Sequence, residues 1–134
     1  MMKHTDNTKA FHSHWRGVPK EAMKEGVDRQ FMSGVQTTTA LITMKRGAVV
    51  PKHAHENEQV ALILSGCLRF TLWEKEGTRT QDVREGEFLL IPPHLPHEAE
   101  ALEDTVDLDF FSPNRADWDS GEDQYLRDQE TRSR

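Results

Sequence analysis

The stretch His53-Ala54-His55-Glu56-Asn57-Glu58-Gln59 decides how this chain is read. Side chains alternate along a strand with period two, so a His-x-His pair on one strand sends both imidazoles to the same face. Gln59 offers a third donor four residues on. A fourth, His97, closes the later segment Pro92-Pro93-His94-Leu95-Pro96-His97. If a distant strand brings His97 alongside, the four side chains complete a pocket for one divalent metal ion.

Outward from that stretch, the chain reads as many short strands. Thr37 to Met44 is rich in Thr, Leu and Ile, and Lys45-Arg46-Gly47 turns it. Ala48 to His55 is extended, with Pro51 suited to an edge or bulge. Val60 to Ser65 is apolar and Gly66 turns the chain again. Leu68, Phe70 and Leu72 alternate with Arg69, Thr71 and Trp73. Glu74 to Gly77 is a hairpin loop, Arg79 to Val83 returns, and Phe88 to Ile91 reads as a buried strand. Glu98 to Ala101 and Val106 to Phe111 are the last two. Short strands at even spacing with Gly or Pro turns indicate an all-β sandwich or barrel.

The ends differ. Residues 1–30 are polar with little periodicity and read as an N-terminal arm. The barrel is expected over 31–113, and a C-terminal tail over 114–134. Within that tail Trp118, Tyr125 and Leu126 are candidates to anchor a short helix on the barrel, and the last eight residues read as solvated. The arm carries Phe11 and Trp15, a natural cover for the exposed edge of a partner subunit. His12 and His14 form a second His-x-His, but no partner follows at matching spacing, so they belong to the arm.

Composition sets limits. The chain has 134 residues, 35% of them hydrophobic, with a formal net charge of -6, and a mean hydropathy of -0.76. That is one domain with a real core. An acidic chain has no electrostatic footprint for nucleic acid, and an anionic ligand would need local cations. Cys67 is the single cysteine, so no intrachain disulfide forms; it reads as a small core or turn residue. Without a leader-like segment or an apolar run long enough for a bilayer, no membrane association is expected and the cytoplasm is the expected location.

The spacing from Gly47 through His53-x-His55 and Gln59 to Gly66, and from Gly86 through Pro92 to His97, resembles the two signature motifs of the cupin superfamily, over about residues 35–112. The resemblance implies a cupin-type jelly-roll β-barrel (a double-stranded β-helix), a homodimer, and one divalent transition metal ion held by His53, His55, Gln59 and His97. Imidazole suits Zn, Ni, Mn or Fe, and Cu as well, so ligand type does not choose the metal. Two positions depart from the family pattern. Gln59 stands where the family has glutamate, and His94 where its second motif has glycine. A neutral amide leaves more of the ion's charge uncancelled, which favours an anionic ligand in the open positions. Glu58 is the competing ligand, but the register favours Gln59 and sends Glu58 to solvent. His94 reads as a loop residue near the pocket mouth.

A second constellation is Asp109-Phe110-Phe111-Ser112-Pro113-Asn114-Arg115. Asp107, Asp109 and Phe111 share one face of the final strand. If Leu108 and Phe110 pack outside, Asp109 and Phe111 face the interior, where a carboxylate is costly unless paired or used. Arg115 would reach back over the pocket to Asp109 or to a substrate carboxylate. Together with His-x-His-x-x-Glu-Gln, this stretch resembles the small cupins of pectin and alginate breakdown, which convert 4,5-unsaturated monouronates into linear keto-uronates. The resemblance implies that Asp109 is the acid/base group, Phe111 packs on the ring and Arg115 binds the carboxylate of a sugar-acid ligand. Two other functions stay open: a cupin dioxygenase or lyase, and a non-catalytic small-molecule sensor working through a protein partner.

Overall fold

The computed structural model of the chain describes residues 2–127. In chain order they form β1 (Met2–Lys3), a single 3₁₀ turn (Trp15–Gly17), β2 (Glu21–Lys24), β3 (Val27–Ser33), β4 (Thr38–Met44), β5 (Val49–His53), β6 (Glu58–Ser65), β7 (Cys67–Glu74), β8 (Gly77–Arg84), β9 (Phe88–Ile91), β10 (His97–Ala101) and β11 (Thr105–Ser112). Two short helices follow, α1 (Ala116–Ser120) and α2 (Gln124–Arg127). One sheet runs β1-β3-β4-β11-β6-β9 with β2 on the side of β3; the other runs β5-β10-β7-β8. The fold is the expected all-β jelly roll of the cupin type. Among the described residues no helix is long and apolar enough to cross a membrane.

Period-two alternation sets the core between the sheets. Leu68, Phe70 and Leu72 of β7 point inward and are buried, as are Ala40 and Ile42 of β4 and Ala61 and Ile63 of β6. The outer face of the four-stranded sheet carries ion pairs: Arg69 bonds Asp82 at 2.7 Å and Arg79 bonds Glu74 at 2.6 Å. The outer face of the longer sheet is different. Val60, Leu62 and Leu64 on β6 alternate outward there, beside Leu108 and Phe110 of β11. Strands apolar on both faces are the pattern of strands covered on both sides. Gly66 joins β6 to β7 at a φ of 91°, and a Cβ there would lie 2.4 Å from the Asp104 carbonyl oxygen, so only glycine fits this crossing of the sheets.

Three expectations change. The boundary at residue 31 falls inside β3, and the arm's second half is sheet. Val27 and Phe31 face the core, but Arg29 between them also points inward, which hid the alternation. Arg29 is buried with its Nη1 2.9 Å from Asp123, and its guanidinium lies over the rings of Phe31 and Trp118. The rest of the arm folds back on its own chain: Gln30 donates to the carbonyls of Trp15 and Val18. Phe88 to Ile91 is an edge strand, with Phe88 70% exposed, rather than a buried one. The C-terminal tail is anchored as expected, Trp118 and Leu126 being buried in the core. Its expected solvated end lies outside the described residues, except for exposed Arg127.

Candidate metal centre

The site forms where the two sheets meet at one end. His53 is the last residue of β5 and His97 the first of β10, and the two are register partners. Their ring centroids lie 4.3 Å apart. His55 is not on a strand with His53, because β5 has already ended; it hangs in the loop that leads to β6, its ring 5.0 Å from that of His97. One donor nitrogen from each of the three histidines falls within 4.8 Å of the others. Gln59 enters from β6, in the opposite sheet, with Oε1 3.1 Å from His55 Nε2. Glu58 is exposed on the outer face.

Each imidazole is oriented by the peptide backbone close by. Nδ1 of His53 donates to the Pro51 carbonyl at 2.8 Å, that of His97 to Leu95 at 2.8 Å, and that of His55 to Asn57 at 3.0 Å. With Nδ1 protonated, each Nε2 keeps its lone pair for the site. His97 Nε2 is buried and without a hydrogen-bond partner. On His55 the lone pair meets another acceptor, Gln59 Oε1, whose orientation is set from the far side: the Gln59 amide bonds the Asp109 carboxyl. Two acceptors and an orphaned nitrogen facing one space fit a cation, so the residues present fit a divalent metal ion. Burial, then the charge of neighbouring groups, pushes His53 down to about 2 and His55 to about 4, and burial lowers His97. All three are neutral ligands at physiological pH.

Below the histidines, Asp107 and Asp109 point inward from β11, both buried, each with Oδ1 lacking a partner. Burial raises Asp109 to about 6 against the bonds it receives from Asp107 and Gln59. Burial and the Asp109 charge raise Asp107 further. Two carboxyls in contact inside an apolar barrel hold a shared proton. Phe111, next on the same face, packs edge-on to His55. The sequence placed Asp107 on this face without a role.

Arg115 does reach the pocket, but it pairs with neither Asp109 nor open space. Its Nε and Nη2 grip both oxygens of Asp117 at 2.8 and 2.7 Å, and Nη2 also bonds the Tyr125 hydroxyl. Its guanidinium lies over Phe111 and Trp118. Tyr125 and Leu126 of α2 close the pocket, leaving a cavity of about 40 Å³, room for an ion and one or two waters at about 10–15 Å³ each. Tyr125 was legible only as an anchor; nothing in its sequence context marks it as part of the site. His94 is exposed at a φ of 67°, where its family's glycine would sit at ease, and its N–H bonds the His55 carbonyl at 2.7 Å. His12 and His14 are exposed in the arm, far along the chain from any of these elements, and His14 caps the 3₁₀ turn.

The cupin domain family matches residues 40–112, more than half of the chain, and the chain belongs to that family. Among solved structures it is similar to an RmlC-like cupin from Shewanella frigidimarina, at 24% identity over 82% of this chain and 96% of that one, with a TM-score of 0.73. KdgF from Halomonas sp. is 27% identical over 75% of this chain and 92% of its own, with a TM-score of 0.67. A mutant of Bacillus subtilis oxalate decarboxylase OxdC is 20% identical over 81% of this chain but only 31% of its own length, with a TM-score of 0.67. No curated protein matches the chain. It is a small cupin resembling the pectin-degradation cupins.

Proposed function

We propose that this cupin is a metal-dependent enzyme that converts 4,5-unsaturated monouronates to linear keto-uronates, in the cytoplasm. The observation that carries the reading is Asp109: a buried carboxyl with an unpartnered oxygen, bonded to a candidate ligand and lifted to about 6. That range suits proton transfer near neutrality. The substrate ring is an enol ether. Loss of the proton on the C1 hydroxyl lets the C1–ring-oxygen bond break, giving an aldehyde and an enol, and protonation of C4 turns the enol into the C5 ketone. Atoms balance without another reactant.

In this reading Asp109 moves the proton, and Asp107 beside it supplies a second store. Phe111 packs on the ring. Arg115 offers its remaining edge, Nη1, to the substrate carboxylate. A divalent ion, one of Zn, Ni, Mn or Fe, on His53, His55, Gln59 and His97 would supply Lewis-acid attraction for the substrate's oxygens. The pocket is narrow, about 40 Å³, and in this reading α2, which lines it through Tyr125 and Leu126, moves aside to admit the ring. The likeness to KdgF at 27% identity supports the reading alongside the Asp109-x-Phe111-x-x-x-Arg115 motif.

The test is to give the metal-loaded protein 4,5-unsaturated galacturonate, freshly released by a glycosidase, and follow the ultraviolet absorbance of the double bond. Loss above the spontaneous rate, abolished by Asp109→Asn, is the expected result. Loss at the spontaneous rate overturns the reading. The tight cavity then favours a second one, a cupin dioxygenase or lyase acting on a smaller acid, for which oxygen uptake is the discriminating measurement.

A further inference from the structure

The tail over the pocket is tied to a buried cation that has two carboxylates within reach. Arg29 of β3 meets Asp123, just ahead of α2, through Nη1 at 2.9 Å, and Glu21 of β2 through Nη2 at 3.3 Å. Arg29 and Asp123 are each 1% exposed, whereas the Glu21 side chain keeps 30% of its surface in water. The contact with Asp123 is close but poorly aligned: among the described residues neither Arg29 Nη1 nor Asp123 Oδ2 has a hydrogen-bond partner. Asp123 also carries a cation of its own, Arg127, whose Nε lies 3.2 Å from Oδ1 four residues on. Gly121, left-handed at a φ of 81°, ends α1 immediately before this segment.

We propose that Arg29 is an ion-pair switch for this tail. With α2 down it is shared between Asp123 and Glu21; when residues 122–127 lift about Gly121 it passes wholly to Glu21. A buried cation stripped of every carboxylate is costly, and that cost would lock the tail shut. Here neither charge is stranded. Arg29 keeps Glu21, and its guanidinium carbon keeps the rings of Phe31 and Trp118 at 4.7 and 4.5 Å. Asp123 leaves with Arg127 and enters water. The remaining holds on the tail are uncharged on its side: Leu126 sits in the core and the Tyr125 ring lies on His53. The Tyr125 hydroxyl bonds Arg115, which stays gripped by Asp117 when it goes. The inference rests on the reading that α2 moves aside for entry, and not on what enters.

Exchange of the Trp118 indole proton with water tests the switch. That proton bonds the Tyr125 hydroxyl at 3.1 Å across the hinge, and Trp118 is buried, so lifting the tail is what admits water to it. It gives one of three indole signals in the nitrogen–proton spectrum of the full chain. Glu21→Gln removes the partner that receives Arg29 in the lifted state, and should slow exchange at least about threefold. Asp123→Asn removes the partner of the lowered state, and should speed exchange at least about tenfold. A static cluster of ion pairs behaves differently: loss of either carboxylate loosens it, and both variants exchange faster. Glu21→Gln exchanging at or above the wild-type rate therefore overturns the proposal, as does a folded Asp123→Asn no faster than wild type. If Asp123→Asn fails to fold, the direction for Glu21→Gln decides alone. The measurement needs neither metal nor substrate, so a failed uronate assay and a failed switch are separate results.

Discussion

Tyr125 lies flat against His53, ring centroids 4.1 Å apart and planes 18° from parallel. Its hydroxyl takes bonds from Arg115 and from Trp118 Nε1. One residue of the C-terminal tail thus touches a candidate ligand and the arginine that is expected to meet substrate.

Removing that roof should open the pocket. Tyr125→Ala is expected to cost about 3 kcal/mol of stability as a buried aromatic truncation, and to let a chelator strip bound metal roughly tenfold faster than from wild type. Tyr125→Phe keeps the stacking and should strip at nearly the wild-type rate. Equal rates for the alanine variant and wild type would mean that the tail does not gate the site.

His97→Ala should lower metal affinity by more than about a hundredfold, since a ligand counts for more than the outer-shell partners whose loss costs 10–100-fold. Titration calorimetry on the metal-stripped protein reads this directly. A variant that keeps full affinity would remove His97 from the ligand set.

The depressed histidines carry a prediction about pH. Protons compete with the metal only near the folded values, about 2 for His53 and about 4 for His55, not at the ordinary 6.5. His97 is lowered by burial as well, so affinity should begin to fall only at a pH below that at which free imidazoles protonate. A Kd that climbs as soon as pH drops through 6.5 would contradict the burial of these rings.

Asp109→Asn should stabilise the metal-free protein at neutral pH. The folded state holds the Asp109 proton up to about 6, while the unfolded chain releases it near 3.8. The sign follows: ionising this buried group costs stability as pH rises from about 4 through 6, and below 4 both states are protonated. Asparagine escapes that cost, so the gain, on the order of 3 kcal/mol, appears at pH 7.5 and is largely lost at pH 4. Urea midpoints at the two pH values check it; a loss at pH 7.5 would show that the carboxylate is compensated in place.

Gln59→Glu restores the family's usual residue and should cost this chain something specific. The amide donates to Asp109 while its oxygen faces the histidines; a carboxylate cannot donate. Metal affinity should rise several-fold with the added charge, while Asp109 is driven further up by a like-charged neighbour. A pH–rate profile whose upper limb stays put would refute the coupling.

The barrel and its metal site could be read from local patterns because both rest on them. Alternation fixed Leu68, Phe70 and Leu72 inward, and motif spacing singled out His53, His55 and His97, which the fold does bring together. What stayed hidden depends on long-range partners. Arg29 looks like a surface residue until Asp123 and Trp118 close over it. Arg115 looks free until Asp117 takes it. Phe88 and Leu90 look like core because hydrophobicity alone does not tell a buried side chain from one exposed on an edge strand. β3 was lost for the same reason as Arg29, since one buried cation broke its pattern, and β2 because its adjacent Met23 and Lys24 are both buried.

The tethering of the three imidazoles to Pro51, Leu95 and Asn57 carbonyls has an evolutionary corollary. Where a carboxylate holds a ligand histidine, exchanging that carboxylate retunes the metal. A peptide oxygen is the same whatever side chain the residue bears, so those three tethers are silent to substitution. Retuning of this site with its three histidines kept then falls to Gln59 and the acids behind it, which makes them the positions to compare first when relatives with different chemistry are sought.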